Sequence, residues 1–160
     1  MDKTIKGLEH PTQAPNGSSL SVLIVKTQWN AIVVDALVQG CRSSLKECGV
    51  TSVDVSAVPG SFELPMGVQI GLETRKYDAI IAIGVLIKGS TMHFEYIADA
   101  TSHGLMRLGL DYKTPVIFGL LTCLNETQAQ ERAGLVQNGH NHGLDWGFGA
   151  VQMALLKKQK

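Results

Sequence analysis

The sequence has little aromatic or charged character and no excess of either charge. Only 6% of its 160 residues are aromatic and 18% are charged, and fourteen Lys and Arg balance fourteen Asp and Glu. A balanced charge gives no general attraction to nucleic acid or to an anionic membrane, so any anion site must be built from a few placed groups. With 44% hydrophobic residues, a chain of this length is expected to fold as one domain with its own core.

Cysteine is rare, and long hydrophobic runs are missing. The three cysteines form no CxxC pair, and their odd number excludes a fully paired disulfide framework, so we expect buried thiols in a reducing compartment. No apolar run approaches the roughly 20 residues that span a bilayer. The first nineteen residues are polar and lack the apolar centre of a signal peptide. We therefore expect a cytoplasmic protein, with no membrane or nucleic-acid partner, that has a tail over residues 1–19 and one domain over residues 20–160.

Short apolar runs alternate with helical patterns along the predicted domain. Runs of strand length cover residues 20–26, 53–58, 79–87 and 115–121. Helical spacing covers residues 34–48, 64–74, 91–110, 125–133 and 145–158. The order β-α-β-α-β-α-β-α-α predicts a three-layer α/β sandwich around a parallel sheet, with 79–87 as a central strand. In such sheets ligands bind beyond the carboxyl ends of the strands.

The four segments that follow the predicted strands contain the side chains suited to a small-molecule pocket. They supply the aromatic rings of Trp29 and Phe62, the carboxylate of Glu63 and the histidine His93. Because these segments converge at one sheet edge in the predicted fold, a single pocket could contain all of them.

The segment Lys-Gly-Ser-Thr-Met-His at residues 88–93 carries the most chemical information. Gly89 allows close approach of the backbone to a ligand, and Ser90 or Thr91 can cap a helix whose free N–H groups would face an anion. An ordinary capped turn that binds nothing is the alternative. No Walker or GxGxxG pattern is present, so neither a nucleoside triphosphate nor a dinucleotide is indicated. His93 can exchange protons near neutral pH, or it can be a hydrogen-bonded histidine at a helix end.

Three other residues each allow a functional and a structural interpretation. Trp29 can stack on a planar ring or belong to the core. Glu63 can accept hydrogen bonds from a polyol or an amine, or favour a helix dipole. Arg132 can bind phosphate in a bidentate manner, or lie on a solvated helix face. Phe118, which is inside a strand, is expected in the core.

The sequence His140-Asn-His142 lies in a glycine-rich loop and suggests a metal site only weakly. Two histidines two residues apart have no evident third ligand nearby in the sequence. We therefore predict no bound metal here, and expect the loop to supply cationic or hydrogen-bonding groups instead.

Four motifs in this order resemble one known family. They cover residues 58–65 (VPGSFELP), 84–96 (GVLIKGSTMHFEY), 115–122 (PVIFGLLT) and 131–134 (ERAG). Together they resemble lumazine synthase (6,7-dimethyl-8-ribityllumazine synthase) of riboflavin biosynthesis, from residue 20 to the C-terminal helix. Residues 139–143 (GHNHG) and 145–147 (DWG) are similar to the fungal branch of that family.

The resemblance implies a flavodoxin-like subunit with a four-stranded parallel core, and a transferase reaction without a cofactor. The family condenses 5-amino-6-(D-ribitylamino)uracil with 3,4-dihydroxy-2-butanone 4-phosphate, and releases the lumazine, inorganic phosphate and water. Its members are homo-oligomers, either pentamers or capsids of twelve pentamers, with active sites between subunits. The fungal-type loop favours an isolated pentamer.

The resemblance also implies a role for each motif residue. His93 matches the proton-transfer residue, and Trp29 matches the aromatic residue that stacks on the pyrimidine ring. The other positions on the ring and ribityl side are Ser61, Phe62, Glu63, Val85, Leu86, Ile87 and Phe118, the last supplied by the neighbouring subunit. The positions on the phosphate side are Gly89, Ser90, Thr91, the neighbour's Arg132, and His142 or His140. One of these two histidines would replace a lysine that many bacterial relatives carry in the loop after the arginine.

Two alternatives to the synthase remain open from the residues. One is a protein that binds a flavin or a related ring at the same sheet edge without catalysis. The other is a metal hydrolase built on His140 and His142, which would require stoichiometric zinc.

Overall fold

Four parallel strands form the centre of the fold. In the computed structural model, which describes residues 11–159, they are β1 (Ser21–Thr27), β2 (Ser52–Val58), β3 (Ala79–Ile87) and β4 (Val116–Cys123). Their order in the sheet is β2-β1-β3-β4, and all pairs are parallel. The predicted four-stranded parallel sheet with residues 79–87 at its centre is therefore confirmed.

Helices cover both faces of this sheet, as the three-layer prediction requires. They are α1 (Ala31–Glu47), α2 (Leu64–Thr74), α3 (His93–Asp111), α4 (Glu126–Arg132) and α5 (His142–Lys158). The side chains of α1, α4 and α5 pack on one face, and those of α2 and α3 pack on the other. None of the helices in residues 11–159 is both long and apolar enough to cross a membrane.

Both faces of β3 are buried, which explains its unbroken apolar sequence. Ile81 and Ile83 belong to the core under α1 and α5, whereas Ile80 belongs to the core under α2 and α3. All three side chains are fully buried, and each contributes about 1.5–3 kcal/mol by leaving water. The three cysteines are also buried and free, as predicted.

Several helices begin at other residues than the periodicity predicts, because local backbone conformation and capping hydrogen bonds set their ends. α1 begins at Ala31 after Asn30, which adopts a left-handed conformation with φ 56°. α5 begins at His142, three residues early, because the Asn141 side chain accepts a hydrogen bond from the Gly143 N–H at 2.9 Å. Apolar periodicity carries no information about such caps.

The N-terminal tail lies partly outside the described residues, which exclude residues 1–10. Residues 11–19 contain no helix or strand, and the Gly17 N–H donates to the Cys48 carbonyl at 2.7 Å. The end of the tail is thus attached to the turn after α1. The boundary between tail and domain remains a prediction.

The close packing of α1 against α5 gives a test of the fold. A methyl group at Gly143 would overlap the Leu37 carbonyl oxygen, whereas one at Gly149 of the same helix would meet no atom within 4 Å. Gly143→Ala is therefore expected to lower the free energy of unfolding by about 1–3 kcal/mol. Gly149→Ala should leave it unchanged or raise it by up to about 1 kcal/mol. Urea unfolding at one fixed protein concentration measures both, and equal stability of the two variants would contradict this packing.

Candidate active site

One cleft of about 550 Å³ opens at the carboxyl ends of β1, β2 and β3. It collects eight of the residues that the sequence analysis selected: Trp29, Ser61, Phe62, Glu63, Val85, Leu86, Ile87 and His93. Asn30, Gly60 and Ile97 also line it: the first two belong to the segments that follow the predicted strands but were not selected individually, and Ile97 was not predicted. Asn30 could have been found, because it lies in the segment after β1 and asparagine is one of the few residues that tolerate the left-handed conformation. Ile97 lies one helical turn after His93 and therefore shares its face of α3.

Trp29 provides a broad aromatic surface at the entrance of the cleft. Its residue surface is 73% exposed, so the core alternative for this side chain is wrong. The adjacent Asn30 donates from Nδ2 to the Val85 carbonyl at 3.2 Å, which ties the end of β1 to the end of β3. The indole is thereby positioned by a fixed turn and remains available to stack on a planar ring.

The far end of β3 leaves main-chain groups open to the cleft. β1 pairs with β3 only as far as Lys26 opposite Ile83, whereas β4 continues alongside β3 to Ile87. On the β1 side, residues 85–87 therefore face the cleft instead of a neighbouring strand. The Val85 carbonyl accepts the hydrogen bond from Asn30. The remaining main-chain N–H and C=O groups on that side are available to bind the edge of a heterocycle.

The turn Ser61–Glu63 forms another part of the cleft wall. Ser61 is buried, and Phe62 is 58% exposed. The Gly60 N–H donates to Glu63 Oε2 at 3.0 Å, so the carboxylate fixes the turn that carries it. Glu63 thus has the structural role that the sequence allowed, and it also lines the cleft.

Thr101 of α3 supports this wall from behind, which can be tested. Its buried hydroxyl donates to the Ser61 carbonyl at 3.1 Å. Thr101→Val removes one of the two hydrogen bonds to that carbonyl, which also accepts from the Leu64 N–H, and should lower the free energy of unfolding by about 0.5–1.5 kcal/mol. The neighbouring Ser102 donates only to the Ala98 carbonyl of its own helix. Ser102→Ala should therefore have little effect, and a similar loss in both variants by urea unfolding would contradict the supporting role.

The loop from Lys88 to Met92 lies at the mouth of the cleft. Thr91 Oγ1 accepts from the His93 N–H at 3.4 Å, so Thr91 provides a weak cap for α3. Lys88 forms an ion pair with Glu95. Gly89, Ser90 and Thr91 are exposed beside the cleft rather than in its walls.

Phe118, Arg132 and His142 do not line the cleft of their own chain. Phe118 is 45% exposed on the edge strand β4, so the expectation of a core position is wrong. Arg132 ends α4, and its Nη1 donates to the Gln128 carbonyl at 3.3 Å. These three side chains thus lie outside the cleft of their own chain, and the assignment of Phe118 and Arg132 to the site of a neighbouring subunit remains a prediction.

The charge of Arg132 influences the pKa of His142, which begins α5. Burial lowers the pKa of His142, and the positive charges of His140 and Arg132 act in the same direction, while Asp145 opposes them. Asp145 was not predicted, although it accepts from His140 Nε2 at 2.7 Å. A histidine followed five residues later by a first-turn aspartate was the available signal.

Comparison with known proteins assigns the chain to a family. Residues 19–158 match the profile of the family described as 6,7-dimethyl-8-ribityllumazine synthase. A 6,7-dimethyl-8-ribityllumazine synthase of Schizosaccharomyces pombe is 51% identical over 153 residues, which cover 93% of this chain and 96% of that protein. Proteins of the same name from Pyricularia oryzae and Cutibacterium acnes are 41% and 40% identical, over 91% and 96% of this chain and 92% and 89% of their own lengths. With the motifs found and the family profile covering nearly the whole domain, the chain belongs to the 6,7-dimethyl-8-ribityllumazine synthase family.

Proposed function

We propose that the chain condenses 5-amino-6-(D-ribitylamino)uracil with 3,4-dihydroxy-2-butanone 4-phosphate in this cleft, and releases 6,7-dimethyl-8-ribityllumazine, phosphate and water. Membership of the family makes it a transferase of riboflavin biosynthesis. The observation that carries the proposal is one cleft in which an exposed indole, open strand main chain and a histidine meet.

The cleft suits the ribitylaminouracil. The Trp29 indole offers a stacking surface, and the main chain of residues 85–87 offers donors and acceptors along the edge of the ring. The turn Ser61–Glu63 lies where the ribityl chain would extend. Glu63 and the polar groups of the turn can accept and donate hydrogen bonds to its hydroxyls.

The reaction depends on proton transfer and needs no nucleophilic side chain of the enzyme. The substrate amine attacks the ketone to give a carbinolamine, which loses water to form an imine. Phosphate then leaves by elimination, and ring closure expels water. Each step moves a proton, and we assign its relay to His93, which begins α3 and lines the cleft. Holding the two substrates in register supplies much of the remaining acceleration.

The phosphate requires a positive charge that the cleft of one chain does not contain. Among the described residues that line the cleft, none is lysine or arginine. We assign this role to Arg132 of a neighbouring subunit, together with His142 and the loop of Gly89, Ser90 and Thr91. The neighbour's Phe118 would close the ring side. Sites shared in this way require an oligomer, and we propose the homopentamer that the fungal-type loop favours, in the reducing cytoplasm that three free cysteines favour.

The activity is tested by mixing both substrates with the purified protein. We expect lumazine fluorescence to appear together with one released phosphate per product. Tight binding of a flavin with no turnover of the two substrates would instead support a flavin-binding protein and would contradict the synthase.

A further inference from the structure

Three side chains that commonly bind metals meet at the start of α5, outside the cleft. One potential ligand atom from each of His140, His142 and Asp145 lies within 4.8 Å of the others. Asp145 Oδ2 is 2.7 Å from His140 Nε2 and 3.4 Å from His142 Nδ1. Asp145 therefore supplies a potential third ligand that the sequence alone did not reveal.

The backbone around this cluster is fixed in place by hydrogen bonds. Asn141, between the two histidines, accepts from the Gly143 N–H at 2.9 Å and donates from Nδ2 to the Ala36 carbonyl at 2.8 Å. The His140 N–H donates to the Glu131 carbonyl at 2.9 Å. The loop is thus attached to both α1 and α4. Ordering it around an ion would cost little conformational entropy, because the backbone is already held.

We propose that His140, His142 and Asp145 bind one divalent transition-metal ion of the Zn²⁺ class, with an open position for water. Two imidazoles and one carboxylate are a common ligand set for such ions. Bonds of about 2.0–2.2 Å place tetrahedral ligand atoms about 3.4 Å apart, a separation that small side-chain rotations produce here.

The site is accessible to solvent, and metal binding requires no other reactant. The histidine side chains are 45% and 37% exposed, whereas Asp145 is only 13% exposed and anchors the cluster from below. His140 would bind through Nε2 and His142 through Nδ1. The ion takes the position of the proton between His140 and Asp145, and in a neutral imidazole that proton moves from Nε2 to Nδ1, so that Nε2 offers its lone pair to the ion. Coordination through Nδ1 leaves the Nε2–H of His142 free to donate to the phosphate, so the two roles of this side chain are compatible, and no step of the proposed reaction uses the ion.

Titration of the purified, metal-free full chain with Co²⁺ alone tests the site without substrate. We expect intense visible d–d absorption of a low-coordinate site that saturates at one ion per chain. His140→Ala and Asp145→Asn should each weaken binding by at least about 10-fold, since loss of a direct ligand costs no less than loss of an outer-shell partner. Circular dichroism verifies that both variants fold.

The matched control is His103→Ala. His103 Nδ1 lies 3.3 Å from Asp99 Oδ1 on α3, so it forms a histidine–aspartate pair with no second histidine. Its replacement should leave Co²⁺ binding unchanged. Three results would each overturn the proposal. They are the absence of saturable absorption, Co²⁺ binding by His140→Ala equal to that of the wild type, and a thiolate-to-cobalt charge-transfer band. Because none of these readouts involves turnover, such a failure would leave the proposed synthase activity untouched.

Discussion

Replacing Arg132 by alanine is expected to lower kcat/KM for the butanone phosphate by about 10³-fold, a larger loss than replacing His93 should cause. The cleft walls in the described chain contain no lysine or arginine, so a bound phosphate depends on a cation brought from outside. A guanidinium that binds the leaving phosphate acts both on binding and on the charge that develops during elimination, and loss of one such donor costs about 10²–10³-fold. Steady-state kinetics with each substrate varied in turn measures the effect.

Arg107→Ala is the control for this substitution. Arg107 is an exposed arginine on α3 whose Nε pairs with Asp111 at 2.7 Å, four residues along the same helix. Such surface pairs contribute little, so its loss should leave turnover close to that of the wild type. The KM for the ribitylaminouracil should also change little in Arg132→Ala. Wild-type kinetics in Arg132→Ala would contradict its assignment to the phosphate.

Replacing His93 by alanine is expected to lower kcat by about 10²-fold, with binding of a lumazine product analogue retained. A positioned acid–base group contributes about 10²–10⁴-fold, and His93 is the histidine in the cleft walls. Product affinity should survive, because stacking on Trp29 and the main chain of β3 does not require the imidazole. Single-turnover kinetics and fluorescence titration of the analogue separate the two quantities.

The control for His93 is again the histidine of the same helix, His103. Its side chain is 80% exposed and ten residues away along α3, so His103→Ala should retain turnover. Added imidazole should partly restore kcat in His93→Ala, because a free base can replace the missing proton relay. A His93→Ala variant with normal kcat, or one that loses product binding to the same extent as turnover, would contradict the relay.

Apolar periodicity predicted the elements of the fold, because burial determines where strands and helices form. The continuous run at residues 79–87 is central in the sheet, with neighbours on both sides. The ends of α1 and α5 were less predictable. They depend on the left-handed backbone of Asn30 and on the hydrogen bond of the Asn141 cap, and hydrophobic spacing records neither feature.

The cleft was predictable for a geometric reason, since residues after parallel strands must share one sheet edge. Trp29, the Ser61–Glu63 turn and His93 meet there as expected. The exposure of Phe118 was not predictable, because it depends on β4 being an edge strand, and local sequence does not determine the order of strands in a sheet. The contact of Asp145 with both histidines likewise depends on the turn into α5.

Subunit complementation tests most directly whether each active site takes His93 from one subunit and Arg132 from the next. His93→Ala and Arg132→Ala chains, each nearly inactive alone, are coexpressed with different tags and purified as mixed oligomers. If the site is shared, random assembly in equal amounts pairs an intact His93 with an intact Arg132 in about a quarter of the sites, and activity should recover to about that fraction of the wild type. Mixed oligomers no more active than the two variants measured separately would show that both residues serve the same chain's site, and would contradict the account.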